Sequence, residues 1–159
     1  MAANLNTGFT AKQRGEIVAG LNKVLADSYA LYLTTHNFHW NVTGPMFNTL
    51  HVMFMTQYTE QWTALDAIAE RIRALGELAP MGYAAFGNLS SIKDGDAEKE
   101  WDGMFKELLS DNETVIATLR GAFEAADEAG DEATADLYTQ RLAAHEKHAW
   151  MIRSTLGGK

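Results

Sequence analysis

Only two prolines, Pro45 and Pro80, punctuate the 159 residues, and turn-forming clusters between the apolar stretches are few. A β-sandwich or barrel needs a turn signal every ~8 to 12 residues, so this chain reads as long helices and its fold class as all-α. With 47% hydrophobic and 21% charged residues, apolar burial can offset the chain entropy lost on folding. At ~100 to 200 residues per domain, residues 1–159 form a single domain with short tails.

The apolar positions fix the helices. Thr10 followed by Gln13 is a capping-box signature, and Ile17, Leu21, Val24, Ser28, Leu31 and Thr35 recur at helical spacing up to about Phe38. Asn41 to Pro45 interrupts the pattern. A second helix follows from about Met46 to Leu75, with Leu50, His51, Phe54, Tyr58, Trp62, Leu65 and Ala69 on a broad apolar face. The connection from Gly76 to Gly95 is long for a hairpin and suits a crossover, with room for a short helix around Ala84 to Asn88. A third helix is expected from Asp94 or Asp96 to the Ala129-Gly130 stop, and a fourth from Asp131 to Leu156. Two short hairpins joined by one long crossover match the ferritin-like four-helix bundle rather than a plain up-and-down bundle.

Charge and composition exclude several function classes. The chain has no cysteine, which removes disulfide scaffolds, thiolate zinc sites and thiol nucleophiles. No apolar run approaches the ~18 residues of a membrane helix, and Met1 to Thr10 has no signal-peptide pattern; a soluble, cytoplasmic protein without a membrane partner is expected. The net charge is −8, and 14 of the 21 acids lie between Asp94 and Asp136 against the bases Lys99, Lys106 and Arg120. Such a surface attracts cations and repels nucleic-acid phosphates.

Of the five histidines, His36, His39 and His51 crowd the first helix hairpin. The Glu-x-x-His pairs of intrachain di-iron bundles are missing. The stronger constellation is His39, His51, Asp66 and Glu70. Asp66 and Glu70 are one turn apart and converge on one side of their helix. His51 and Asp66, however, are separated along that helix by roughly 22 Å at 1.5 Å per residue. They share an ion only if the second helix meets a second copy of itself antiparallel, as in a twofold dimer with two equivalent sites. Two imidazoles with carboxylates suit Fe(II) or another divalent transition ion. Each residue also has an ordinary reading: a helix-end histidine as core or cap, Glu70 as a partner of Arg73, and His145 and His148 as solvated or packing residues.

The stretch His39-Trp40-Asn41-Val42-Thr43-Gly44, then Phe47, Leu50-His51, Phe54, Tyr58 and Asp66-Ala67-Ile68-Ala69-Glu70-Arg71-Ile72, resembles the Dps family, the DNA-protecting mini-ferritins of starved bacteria. Thr134 to Leu137 and Glu146 to Met151 are similar to that family's last helix, and the likeness spans about residues 10 to 156. The resemblance implies a hollow dodecamer built from twofold dimers that oxidises Fe(II), preferentially with hydrogen peroxide, and stores Fe(III) mineral. It places the iron ligands on His39 and His51 of one subunit and on Asp66 and Glu70 of its mate. It also puts Trp40 near the iron without ligating it, where it would intercept stray radicals. Met55 stands where the family commonly has an acid; a thioether is a poor ligand for a hard cation, and at helical spacing it reads as core filler.

Two further expectations concern access and partners. The resemblance sets the start of the last helix at a threefold junction, so Asp131 and Asp136 are candidates for an iron-entry pore, although an acid there is equally an N-cap. The alternative function is a DNA-compacting nucleoid protein with little ferroxidase activity. Met1 to Phe9 has no Lys or Arg, and Lys159 is the only base after Arg153; weak or no DNA binding is expected, with nucleoid association the consequence if it occurs.

Overall fold

The computed structural model describes residues 6–158; residues 1–5 and Lys159, on which part of the tail-charge reading rests, lie outside the described residues. Its helices are α1 (Ala11–Asn41), α2 (Phe47–Ala74), α3 (Tyr83–Leu89), α4 (Trp101–Ala129) and α5 (Glu132–Thr155), with no strand among the described residues. The chain is an all-α bundle of four long helices, and α3 lies in the crossover between the second and third of them.

Local chemistry sets the helix ends. At the start of α1, Thr10 Oγ1 accepts from the Gln13 amide and the Gln13 side chain accepts from the Thr10 N–H at 3.0 Å, the reciprocal box expected from the sequence. Pro45 falls in the turn before α2, where the Phe47 N–H reaches the Gly44 carbonyl at 3.1 Å. Gly130 adopts φ 69° at the end of α4, a left-handed cap that a side chain would strain. The expected start of the third long helix at Asp94 or Asp96 is corrected to Trp101. Asp96 instead closes a turn by accepting from the Glu98 amide at 2.9 Å, which takes the residues after it out of helical register.

Packing follows the apolar faces. α1 lies along both α2 and α4, α4 lies along α5, and α2 meets α5 only lightly. Leu21, Val24, Leu31 and Phe38 of α1 join Leu50, Phe54, Ile68 and Ile72 of α2, Phe105, Leu108 and Leu119 of α4, and Tyr138 and Ile152 of α5 in one core. Each such side chain contributes ~1.5 to 3 kcal/mol by leaving water. Gly20 lets α1 approach closely: a Cβ there would stand 3.0 Å from the Ala122 methyl and 3.2 Å from the Tyr138 hydroxyl.

A buried carboxylate ties the crossover to the bundle. Asp27 on α1 is fully buried, accepting from the Ser91 N–H at 2.6 Å, the Ser90 hydroxyl at 3.0 Å and the Thr118 hydroxyl of α4 at 2.7 Å, with Lys23 Nζ at 2.7 Å. The crossover is thereby held against α1 and α4 at the point where it leaves α3.

Asp111 on α4 has one buried carboxylate oxygen with no partner. Burial pushes its acid up to about 7, reinforced by the charge of Glu107 and opposed by Lys99. The folded state therefore binds this proton more tightly than the unfolded chain, whose aspartates titrate near ~3.9, and stability falls as pH rises between about 4 and 7. Asp111→Asn is expected to exceed the wild type at pH 8 by about 1 to 2 kcal/mol, after allowance for partial solvent screening. Urea unfolding should show the advantage vanishing towards pH 4; an equal difference at both pH values would refute the assignment.

Candidate metal centre

The α1–α2 hairpin brings His39 and His51 into direct contact. Their rings stack with centroids 3.7 Å apart and planes 19° from parallel. His39 Nδ1 donates to the His51 carbonyl at 2.7 Å, and His51 Nδ1 donates to the His39 carbonyl at 2.8 Å. A carbonyl only accepts, so both Nδ1 atoms carry a proton, and Nε2 is the ring nitrogen that these bonds leave for a metal. Backbone bonds of this kind fix the tautomer and aim that metal-binding imidazoles need. His39 is 9% exposed and His51 half-buried, so the pair sits at the rim of the core.

Asp66 and Glu70 lie at the other end of the same helix, both exposed, with no ion pair or side-chain hydrogen bond among the described residues. Glu70 does not pair with Arg73, whose guanidinium donates to the Glu77 carbonyl at 2.7 Å instead. Within one chain no three His, Asp or Glu side chains of the described residues converge on a common point. With all of 47–74 in one helix, His51 and Asp66 are roughly 22 Å apart along its axis. Asp66 lines a groove of 590 Å³ with Leu25, Trp62, Ala69 and Phe86, between α1, α2 and the crossover helix.

The surface between these two ends interleaves large apolar residues with the exposed Thr56, Thr59 and Thr63. Val52, Met55 and Trp62 on α2 are exposed, as are Trp40 on α1 and Phe47 at the start of α2. Met55, expected in the core, is 43% exposed and lies one turn beyond His51. Met55 keeps the helical spacing, but its side of α2 faces outward.

The two pore candidates separate. Asp131 is buried, caps α5 by accepting from the Thr134 N–H at 3.0 Å and binds Arg71 of α2 at 2.7 Å. Burial raises its acid, but the bonds from Thr134 and Arg71 outweigh that and hold it below the ordinary carboxylate value. The structure gives Asp131 the capping role. Asp136 is exposed, and its only side-chain hydrogen bond among the described residues is to Gln140 at 2.6 Å.

Sequence reasoning missed a polar layer in the middle of the bundle. His145 is fully buried; its Nε2 accepts from Arg141 at 3.2 Å and its Nδ1 donates to Asn112 of α4 at 3.0 Å. Arg141 spans the loose α2–α5 seam to a bidentate pair with Glu60, and Gln57 and Gln61 are buried alongside on α2. Burial, with Arg141 and His148 nearby, lowers His145 well below the ordinary histidine value and keeps it neutral. His145 and His148 are thus packed rather than solvated. Amides and a paired guanidinium fill the bundle centre where di-iron bundles carry their carboxylates, so these residues are a poor home for a divalent cation.

Comparison with known proteins agrees with this architecture. A family model described as a ferritin-like domain matches residues 18–158. DNA protection during starvation protein 2 of Bacillus anthracis is 38% identical over 141 residues, 89% of this chain and 97% of that protein. Among solved structures, a Dps protein from Bacillus brevis superposes with a TM-score of 0.88 at 36% identity, covering 92% of this chain and 99% of that one. A Vibrio cholerae Dps protein, described as one of a broad superfamily of ferritin-like diiron-carboxylate proteins, gives 0.91 at 29% identity and covers 98% of both chains. Matched along nearly its whole length by proteins of one kind in sequence and in backbone, the chain belongs to the Dps family of ferritin-like proteins.

Proposed function

We propose that this protein is a ferroxidase mini-ferritin that takes up Fe(II), oxidises it with hydrogen peroxide and stores the Fe(III) product inside a closed dodecamer built from twofold dimers. The observation that carries the reading is the layout of α2: His51, with His39 of α1 stacked on it, at one end, two carboxylates unpaired among the described residues at the other, and between them an exposed stripe of Val52, Met55 and Trp62 interleaved with threonines. Antiparallel pairing of two copies buries the stripe and sets His39 and His51 beside Asp66 and Glu70 of the partner subunit, twice per dimer. The substrate is the metal itself. Neutral imidazoles and carboxylates hold Fe(II) and favour the harder Fe(III) that forms. Two Fe(II) give two electrons to one peroxide, yielding two Fe(III) and two hydroxides without a free radical. Addition of Fe(II) and peroxide, followed by sizing, tests the reading: a mineral-bearing particle of shell size is expected, and no iron-dependent absorbance growth would reject it.

This reading also implies a dimer register. If His51 faces Asp66 and Glu70 of the partner subunit, the axis passes midway along α2, near the exposed Thr59. The chain has no cysteine, so Thr59→Cys should form a disulfide with its own copy under mild oxidant. A chain that stays uncross-linked while Thr56→Cys joins efficiently would overturn the register.

Iron entry is proposed through a threefold pore ringed by Asp136. Three carboxylates focus negative potential on an incoming cation, so Asp136→Asn should slow uptake at low salt, and the difference should shrink as salt rises. Equal rates at low salt would place the entrance elsewhere. A net charge of −8 makes phosphate contacts weak at physiological salt; protection of DNA then comes from removing Fe(II) and peroxide together, in the cytoplasm. Gel-shift complexes that survive moderate salt would favour the DNA-compacting alternative.

A further inference from the structure

Two polar ties hold α5 against α2. Arg71 donates to Asp131 and Thr134 at the start of α5, and further along Arg141 reaches back to Glu60. Between the ties Thr63, Ala64, Ala67, Leu137 and Gln140 line a groove of 340 Å³ rather than an interlocked apolar seam. The second tie continues into the core. Arg141 also donates to His145 Nε2 at 3.2 Å. Asn112 of α4 gives its amide N–H to the Leu108 carbonyl at 2.7 Å, so the oxygen that it turns to His145 accepts from Nδ1 at 3.0 Å. Glu60, Arg141, His145 and Asn112 thus form one line of bonds across three helices, with every proton in a fixed place. His145 can take a further proton only at Nε2, where Arg141 already points an N–H. With that proton, two donors and two cations would face each other at a fully buried ring.

We infer that this line is an acid-sensitive clasp: a proton on His145 expels Arg141, frees Glu60 and lets α5 part from α2 beyond the Arg71 tie. The inference does not depend on the ferroxidase reading. The surrounding charges agree with its direction. Arg141 and His148 disfavour a cation at His145, and Arg141 and Lys147 disfavour one at His148. Glu60 of α2 acts the other way on His148, but its carboxylate is bonded to Arg141. Asp111, beside Asn112 on α4, faces Glu107, Lys99 and Asp27 instead. The Arg71 tie outlasts mild acid, because Asp131 is held below the ordinary carboxylate value. Gln57, Gln61, Arg141 Nε and His148 Nδ1 have no protein partner in the closed seam, so contact with water on opening offsets part of the cost. In the open seam His145 titrates near the ordinary ~6.5, whereas the closed form excludes the proton. The open population therefore grows as pH falls, by about 30-fold from pH 7.5 to 5.0.

Hydrogen exchange of the full chain without added metal, read by mass spectrometry and corrected for the intrinsic pH dependence of amide exchange, tests the clasp. Peptides of α5 spanning 138–152 should open about 30-fold more at pH 5.0 than at pH 7.5, while those at its first turn stay protected. His145→Gln keeps an acceptor for Arg141 but takes no proton, so it should hold the segment closed at both pH values. His148→Gln should retain most of the response. Glu60→Gln, at a half-buried position, should raise opening already at pH 7.5 and leave the further rise on acidification in place. A pH response that persists in folded His145→Gln overturns the inference. If that variant does not fold, the wild type and the other two variants still decide. Equal protection of the wild type at both pH values, a rise spread evenly over all four long helices, or loss of the response in His148→Gln would each reject the clasp.

Discussion

His39→Ala and Asp66→Ala are each expected to abolish most of the peroxide-driven oxidation of Fe(II), and the two inactive proteins are expected to recover activity when co-assembled. Each substitution removes a ligand from every site, because each site takes one histidine pair and one carboxylate pair. In a mixed dimer the defects fall on one interface site, which loses both ligands, while the other keeps His39 of one chain and Asp66 of its mate. With random pairing of equal amounts, half the dimers are mixed and one of their two sites is intact, so about a quarter of the wild-type sites return. Unfolding and refolding the two variants together, and following Fe(III) absorbance after Fe(II) and peroxide, reads this directly. Asp66 is exposed but His39 is largely buried, so circular dichroism and sizing of His39→Ala check its fold before activity is read. Mixtures that form dimers yet stay at the level of the separate variants would place both ligand pairs within one chain and sink the split site.

The second large effect is on stability. Asp27→Ala is expected to lower folding stability by about 3 kcal/mol or more, since three buried or half-buried hydrogen bonds to a charged acceptor are lost at once. Its partners Ser90 and Ser91 lie directly after α3, and Thr118 lies on α4, so the loss is also local: the crossover becomes free to leave the bundle. Because the crossover helix walls the groove that Asp66 lines, iron oxidation should weaken as well. Thermal unfolding measures the first consequence, and limited proteolysis between Gly76 and Gly95 the second. An unchanged melting temperature together with an undigested crossover would show that apolar packing of α3, not Asp27, holds that segment.

Much of this molecule is legible in the chain itself. The spacing of Ile17, Leu21, Val24 and Leu31, the Thr10 capping box and the Ala129-Gly130 stop specify helix, length and ends, because helical periodicity and end-capping are local properties. The distance between His51 and Asp66 is likewise a property of one helix, and it alone argues that a shared ion needs a second chain. What sequence could not supply is which side of each helix faces inward. Met55 reads as core and is exposed, and Asp131 reads equally as a pore residue or an N-cap, a choice that only its place against Arg71 and Thr134 resolves towards the cap. The reciprocal carbonyl bonds of His39 and His51 and the Arg141–Glu60 bridge both join residues on different helices. Spacing determines which residues share a face; only the rotation of that face about the helix axis, set by how four helices pack, decides whether the face meets the core, a neighbouring side chain or a second copy of the chain.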